Sequence, residues 1–450
     1  MPLKKTTLSH SQPSPPCTHP HLLTIPHPSQ SQFKRVAPSR RAAATTATGV
    51  HKSGITDTVL NGFEDEGEFA STFPGPVVLE GDDLALDPKQ PGQSFRGWER
   101  GKDRNKVPEE GKEGDEGEGR RTIYVLGPPG IDREGVEGFM KGWDECDVGG
   151  GGKGKGKGKG ENWETSNWVS DVISYLQAFY HGLPVKQMDP SLLHFTPWED
   201  DTSPKPSKSK TKPTPREKSP TYIGLRTSTY KTGIRIRSTP SSPYTHQLNL
   251  SDLLDLAIDI LPRDAYALLM LVNHDLYEDD DDEFICGRAY GGSRVAVVST
   301  ARYTPLLDER QGVERTHAWP ASHCEGYADG VCGVEDKVKD GKTGKRRRGD
   351  DERGYAIAES PLARAVAQQN ALPTHPNPSS ETLKGLYLSR IARTASHELG
   401  HCFGIDHCIY YACCMQGSAS IIEDARQPPY LCPIDLAKVV AATGQMSGEI

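Results

Sequence analysis

Long apolar runs are missing from this chain, and nothing in it approaches the roughly 20 consecutive apolar residues that a membrane-crossing helix needs. Apolar residues of every kind are scarce: 34% of 450, with a mean hydropathy of −0.62. A chain this polar cannot bury a core along its whole length. The N-terminus lacks the apolar stretch of a secretory signal. Residues 1–56 contain no Asp or Glu, but their prolines oppose the amphipathic helix of a transit peptide. They read as part of a disordered tail over 1–64. The formal net charge of −8 gives no pull toward nucleic acid. These absences leave a protein of the cytosol or nucleus, without nucleic-acid or membrane partners. Its oligomeric state is not written in the sequence.

Glycine and proline are abundant, 46 and 35 residues, and they cluster. One compact domain over 65–445 is expected, interrupted by flexible insertions at about 99–120, 148–161, 199–220 and 306–353. The last insertion carries the basic run Lys345-Arg346-Arg347-Arg348, read as a solvated loop. Gly341-Lys342-Thr343 resembles the end of a phosphate loop, but the earlier glycine is replaced by Asp336. Asp279–Asp282 lacks the spaced oxygens and glycine turn of a calcium loop.

Between the insertions the elements alternate. Ile123–Leu126, Tyr230–Arg237, Tyr266–Val272 and Val295–Ser299 read as strands. Trp168–Phe179 has helical spacing. Ser251 is placed to cap a helix that Pro262 stops, and Ser379 or Ser380 to cap a long helix reaching about Cys402. Helices alternating with apolar strands give an α/β layered domain.

Ten cysteines are present, and five fall between Cys402 and Cys432: Cys402, Cys408, Cys413, Cys414 and Cys432. In a reducing compartment such clustering points to metal ligands before disulfides. His317, His323, Cys324 and Cys332 form a second, looser cluster whose spacing fits no standard site. Cys17 and Cys146 stand apart.

The chemistry concentrates in His397-Glu398-Leu399-Gly400-His401-Cys402-Phe403-Gly404-Ile405-Asp406-His407. Histidines four apart on a helix project from one face, and two imidazoles so placed can reach one zinc. Glu398 is adjacent and can reach a zinc-bound water. Gly404 permits the positive φ that ends the helix, so the chain can turn back and supply His407. Three protein ligands leave one coordination position open, the mark of a catalytic zinc. Zinc would lower the pKa of its water toward about 7. Glu398 would take a proton from that water as it attacks a peptide carbonyl, and return it to the leaving amine.

The pattern HExxHxxGxxH is that of the metzincin zinc peptidases. Cys408 directly after His407, then Cys413, Met415 and Leu431-Cys432-Pro433 resemble the archaemetzincins. The stretch Arg294–Arg302 looks like that family's strand beside the cleft. The resemblance implies a metzincin-like catalytic domain: a twisted mixed sheet, a backing helix, the zinc helix and a small C-terminal subdomain. It implies a peptide or protein substrate. It also implies a methionine floor at Met415 and a second, structural zinc on Cys408, Cys413 and Cys432. The family's fourth cysteine falls at Asp435. Either Asp435 supplies an oxygen ligand, or Cys414 or Cys402 fills in, or the site is degenerate. In such folds an edge strand can bind the substrate backbone, and Val295–Ser299 is the candidate. A zinc-stabilised scaffold that no longer cleaves is the alternative, and the intact Glu398 argues against it.

Overall fold

The computed structural model describes residues 33–36, 38–50, 73–102, 104–108, 119–132, 136–148, 168–198, 221–315, 318–324, 361–371 and 378–444. Cys17, His317, Cys332, the Gly341-Lys342-Thr343 and basic-run readings, and the insertion at 199–220 lie outside the described residues, as does most of 1–64 and of 148–161. Two compact units are formed, each from three separate stretches. One comprises Met1–Ser94, Gly312–Pro378 and His407–Pro433, the other Phe95–Gln311, Ser379–Asp406 and Ile434–Ile450.

The larger unit is a mixed α/β structure with two sheets. Its elements are α3 (Phe95–Arg100), β1 (Thr122–Leu126), β2 (Gly130–Ile131), α4 (Trp168–Phe179), β3 (Val185–Gln187), β4 (His194–Thr196), β5 (Tyr222–Arg226) and β6 (Lys231–Ser238). They continue with β7 (His246–Asn249), α5 (Leu250–Asp259), β8 (Ala265–Val272), β9 (Asp275–Tyr277), β10 (Gly287–Tyr290), β11 (Val295–Ser299), α6 (Asp308–Gln311) and the long α8 (Ser380–Cys402). The five-stranded sheet runs β10-β11-β8-β1-β3 and the six-stranded sheet β2-β4-β5-β6-β7-β9.

The eight residues of β8 are all buried, because the strand is paired on both sides and covered on both faces. Alternation divides them. Leu268, Met270 and Val272 join Val295, Val297, Leu253, Leu254 and Ala257 in one apolar core, against α5. The alternate residues of β8 and β11 face the other way, and α8 packs against both strands. A strand covered twice reads as an unbroken apolar run, as Tyr266–Val272 does.

Two sequence expectations are corrected here. The cap of α5 is Asn249, whose side chain accepts from the Asp252 amide; Ser251 lies inside the helix. Arg235 also donates to the Asn249 side-chain oxygen, at 2.8 Å, which favours the earlier residue. Val295–Ser299 is not an edge strand. β11 is parallel to β8 on one side and antiparallel to β10 on the other, so β10 occupies the edge. Arg294, at φ 60°, closes the turn that leads from β10 into β11.

Asp279–Asp282 forms a capped turn. The Asp282 carboxylate accepts from the amides of Glu278 and Asp279, and Arg237 donates to the carbonyls of Asp279 and Asp280. A buried ion pair fixes α8 along its length: Arg390 donates to both oxygens of Asp308, at 2.7 and 3.0 Å.

The smaller unit contains α1 (Pro38–Ala44), α2 (Asp83–Leu86), α7 (Pro361–Ala371) and α9 (Ile421–Asp424); α10 (Pro433–Thr443) starts at its last residue. Residues of α1, placed by sequence in the disordered tail, are folded: Arg41 is buried and its guanidinium lies over the Tyr411 ring. The described part of the expected insertion at 306–353, residues 306–315 and 318–324, is folded. Leu307, Ala321, His323 and Cys324 are buried, and Ala321 and Cys324 pack with Leu362 and Val366 of α7. Within 99–120, Val107 is buried and Arg104 and Asn105 make specific hydrogen bonds.

Candidate metal centre

Helix α8 is capped by Ser379, whose hydroxyl accepts from the Thr382 amide, and ends one residue after His401. A helix leaves its last carbonyls without intrahelical partners, and the Asn105 and Trp98 side chains take up two of them. Asn105 donates to the Cys402 carbonyl at 2.9 Å and to Gly291 O at 2.8 Å. Trp98 Nε1 donates to Phe403 O at 3.0 Å. The Tyr266 hydroxyl donates to Asn105 O at 2.9 Å. Phe403 stacks on Tyr180, whose hydroxyl donates to Ser396 O at 2.6 Å. The helix end is therefore held from several directions. Gly404 then takes φ 74°, the left-handed conformation that glycine adopts without cost.

His397 and His401 face each other with their Nε2 atoms 3.1 Å apart. Two nitrogens about 2.0–2.1 Å from one tetrahedral zinc would be separated by roughly 3.3 Å. On the other side of the ring, His401 Nδ1 lies 2.6 Å from Ile405 O. A carbonyl only accepts, so Nδ1 carries the proton and Nε2 presents its lone pair, the tautomer a metal ligand needs. Two imidazole nitrogens this close, with one proton already assigned elsewhere, fit a cation.

Glu398 is buried and lies under β10. A Cβ on Gly287 would stand 3.1 Å from its Oε1 and 3.2 Å from its Cγ. Directly after that strand, a Cβ on Gly291 would overlap the His401 carbonyl. Glycine at both positions lets the edge of the sheet come close to the helix face that carries Glu398 and His401.

The metal-capable residues among those described fall into two groups, His397, His401 and His407, and Cys408, Cys413, Cys432 and Asp435. In each group one ligand atom per residue lies within 4.8 Å of the others. The histidines are half-buried and the second group is fully buried. Cys402 and Cys414 belong to neither group. Both are buried, and Cys414 donates its amide to Tyr430 O. His323 and Cys324 are buried as well and join no group. Burial holds the His323 imidazole down at about 3.

Cys408 and Cys432 have their sulfurs 3.7 Å apart, against roughly 3.8 Å for two thiolates about 2.3 Å from a tetrahedral zinc. Cys413 Sγ accepts from the amides of Cys432 at 3.1 Å and Met415 at 3.5 Å. Burial, with Cys408 and Cys432 beside it, pushes the Cys413 thiol well up. Three crowded thiols cannot ionise together without a cation, so this donor set also fits a metal. Buried Met415 accepts from the Cys408 amide at 2.7 Å. Asp435 and Lys438 form a buried ion pair at 2.8 Å through Oδ1.

Sequence reasoning missed Asn105, Trp98, Gly287 and Gly291. Each acts on α8 from more than a hundred residues away, and no local pattern marks it.

Residues 361–439 match the model of Peptidase family M54. Over 198 residues the chain is 29% identical to Archaemetzincin-2 of Homo sapiens, covering 44% of this chain and 42% of that one. Over 228 residues it is 26% identical to Archaemetzincin-1 of Homo sapiens, covering 50% and 37%. The chain thus spans less than half the length of these relatives. A solved archaemetzincin from Methanopyrus kandleri aligns with 73% of this chain and 97% of its own, at 15% identity and a TM-score of 0.32.

Proposed function

We propose that this relative of the archaemetzincins is a zinc-dependent metallopeptidase, with a catalytic zinc on His397, His401 and His407 and Glu398 as its general base and acid. The observation that carries the reading is the pair of Nε2 atoms 3.1 Å apart, one with its tautomer set by Ile405 O. A structural site needs no carboxylate beside its ligands, and Glu398 is buried directly after His397 in the helix.

When bound, zinc lowers the pKa of a water toward about 7 and polarises the scissile carbonyl. Glu398 would take up a proton on its carboxylate from the attacking water and would hand it to the departing amine. Its carboxylate is confined between its own helix and Gly287, which restricts the directions in which it can point. The outer edge of β10 is unpaired among the described strands, so an extended peptide can add to it as a further strand. That edge passes the helix at Gly287 and Gly291, beside Glu398 and His401.

A second zinc is assigned to Cys408, Cys413, Cys432 and Asp435, four donors with no open position, hence structural. Met415, whose carbonyl holds the Cys408 amide, serves as apolar packing. The catalytic domain extends over 65–445. Reduced, grouped cysteines fit a reducing compartment, cytosol or nucleus.

Cleavage of a peptide library by the zinc-loaded chain, with Glu398→Ala alongside, tests this. The parent should cleave, and the variant should hold zinc without cleaving. A zinc-loaded parent that cleaves nothing would contradict the reading.

A further inference from the structure

His401 has an evident partner for its outer nitrogen, Ile405 O. The third histidine, His407, comes from the loop after the helix, where no helical register holds it. Metal-bound imidazoles are usually oriented by a hydrogen bond from the nitrogen that faces away from the metal. The surroundings of His407 supply a candidate.

Asp83 opens the short helix α2, more than three hundred residues earlier. Its Oδ2 is buried and has no hydrogen-bond partner. The carboxylate is not at this depth by accident of a loose loop. The Asp83 amide donates to Glu423 Oε2 at 2.9 Å, and the Ala419 amide donates to the same oxygen at 2.8 Å. Glu423 thereby ties α2 to the loop that follows Met415. The neighbouring Asp82 accepts from Arg426 at 2.6 Å and from the Leu79 amide at 2.7 Å.

Asp83 and His407 converge on Gly417. A Cβ there would overlap Asp83 Oδ2 and would stand 2.8 Å from His407 Nδ1. Glycine at 417 therefore leaves open the space in which the carboxylate and the ring nitrogen can meet. Gln90 Nε2 lies 3.4 Å from the same Nδ1, and its Oε1 is buried without a partner. Amide oxygen and nitrogen are interchangeable by a flip. Turned over, Gln90 presents a second acceptor and no competing donor.

Resting on the proposed function, we infer that Asp83 is the positioning residue of His407: its carboxylate accepts the Nδ1 proton, with Gln90 in support, so that Nε2 faces the zinc. The stretch around Asp83 thereby becomes part of the metal centre's construction, although none of its described residues belongs to a ligand group.

The test measures zinc affinity by chelator competition on the full chain, for the parent, Asp83→Asn, Asp83→Ala, Gly417→Ala and His407→Ala. Loss of an outer hydrogen-bond partner typically weakens metal binding about 10- to 100-fold. Asp83→Ala and Gly417→Ala should fall in that range for one of two zincs. Asp83→Asn keeps an acceptor and should recover part of the loss. Thermal unfolding of the Asn variant, unchanged from the parent, separates positioning from folding. With cobalt in place of zinc, the visible absorption of Asp83→Ala should shift, because ring orientation sets the ligand field. If His407→Ala loses zinc while both Asp83 variants bind like the parent, Asp83 has no such role. If His407→Ala itself binds like the parent, the three-histidine reading fails first.

Discussion

The two candidate ligand groups lie within forty residues of each other in sequence and differ in nearly every physical respect. The histidine group is half-buried, offers three nitrogens and has a carboxylate, Glu398, next to it. The cysteine group is fully buried, offers four donors, and has a lysine, Lys438, paired to its acidic member. Three donors and partial exposure leave room for a substrate, whereas four donors and full burial leave none. The same metal would do different work in the two places, and ligand number together with solvent access decides which.

That contrast can be broken most severely by removing a ligand from each group. His401→Ala should abolish cleavage and lose one zinc by metal analysis, with little change in unfolding temperature. Cys408→Ser should do the reverse: it should lose the other zinc and several kcal/mol of stability, as buried structural zinc sites do, read by thermal unfolding. Equal effects of the two substitutions on stability would erase the distinction.

A smaller effect is expected from Gly287→Ala. The added methyl stands 3.1 Å from Glu398 Oε1 and 3.2 Å from Val297 O, so the carboxylate must yield. Displacing a catalytic group in this way should lower kcat about tenfold at unchanged zinc content.

The acid response should be separable from both sites. His274 is buried, with neither ring nitrogen hydrogen-bonded. Burial holds it down at about 4, against a partial upward pull from the Asp144 charge. An unfolded chain protonates histidine near 6.5. The stability His274 confers is therefore complete above about pH 6.5 and is lost as pH falls toward 4, by up to about 1.4 kcal/mol per pH unit. His274→Gln should flatten the unfolding temperature across that window. The smallest effect is the cap: Asn249→Ala should cost about 1 kcal/mol.

What could be read from the sequence was what is local. The histidine spacing, the glycine turn at Gly404, the Ser379 cap and the buried run of β8 all declare themselves within a few residues. The cysteine group came from the family resemblance, which left its fourth member open between Asp435, Cys414 and Cys402; the structure groups Asp435 with Cys408, Cys413 and Cys432. Pairing was not legible. Val295–Ser299 looks like any apolar strand, and only the antiparallel pairing with Gly287–Tyr290 shows that the edge lies one strand further out. Ser251 and Asn249 are both good caps, and the choice was made by Arg235, fourteen residues away. Of the two clamps on the end of α8, Asn105 comes from a stretch whose charge and glycine content read as an insertion, and Trp98 stands just before it.

The central claim is that His397, His401 and His407 form a catalytic centre in which Glu398 moves the proton. The most direct measurement is peptide-library cleavage followed by mass spectrometry, comparing the zinc-loaded chain with its Glu398→Ala variant, with zinc content determined for both. The account predicts equal zinc, cleavage by the parent, and a loss in the variant of about a hundredfold or more. Equal cleavage by both proteins would contradict it.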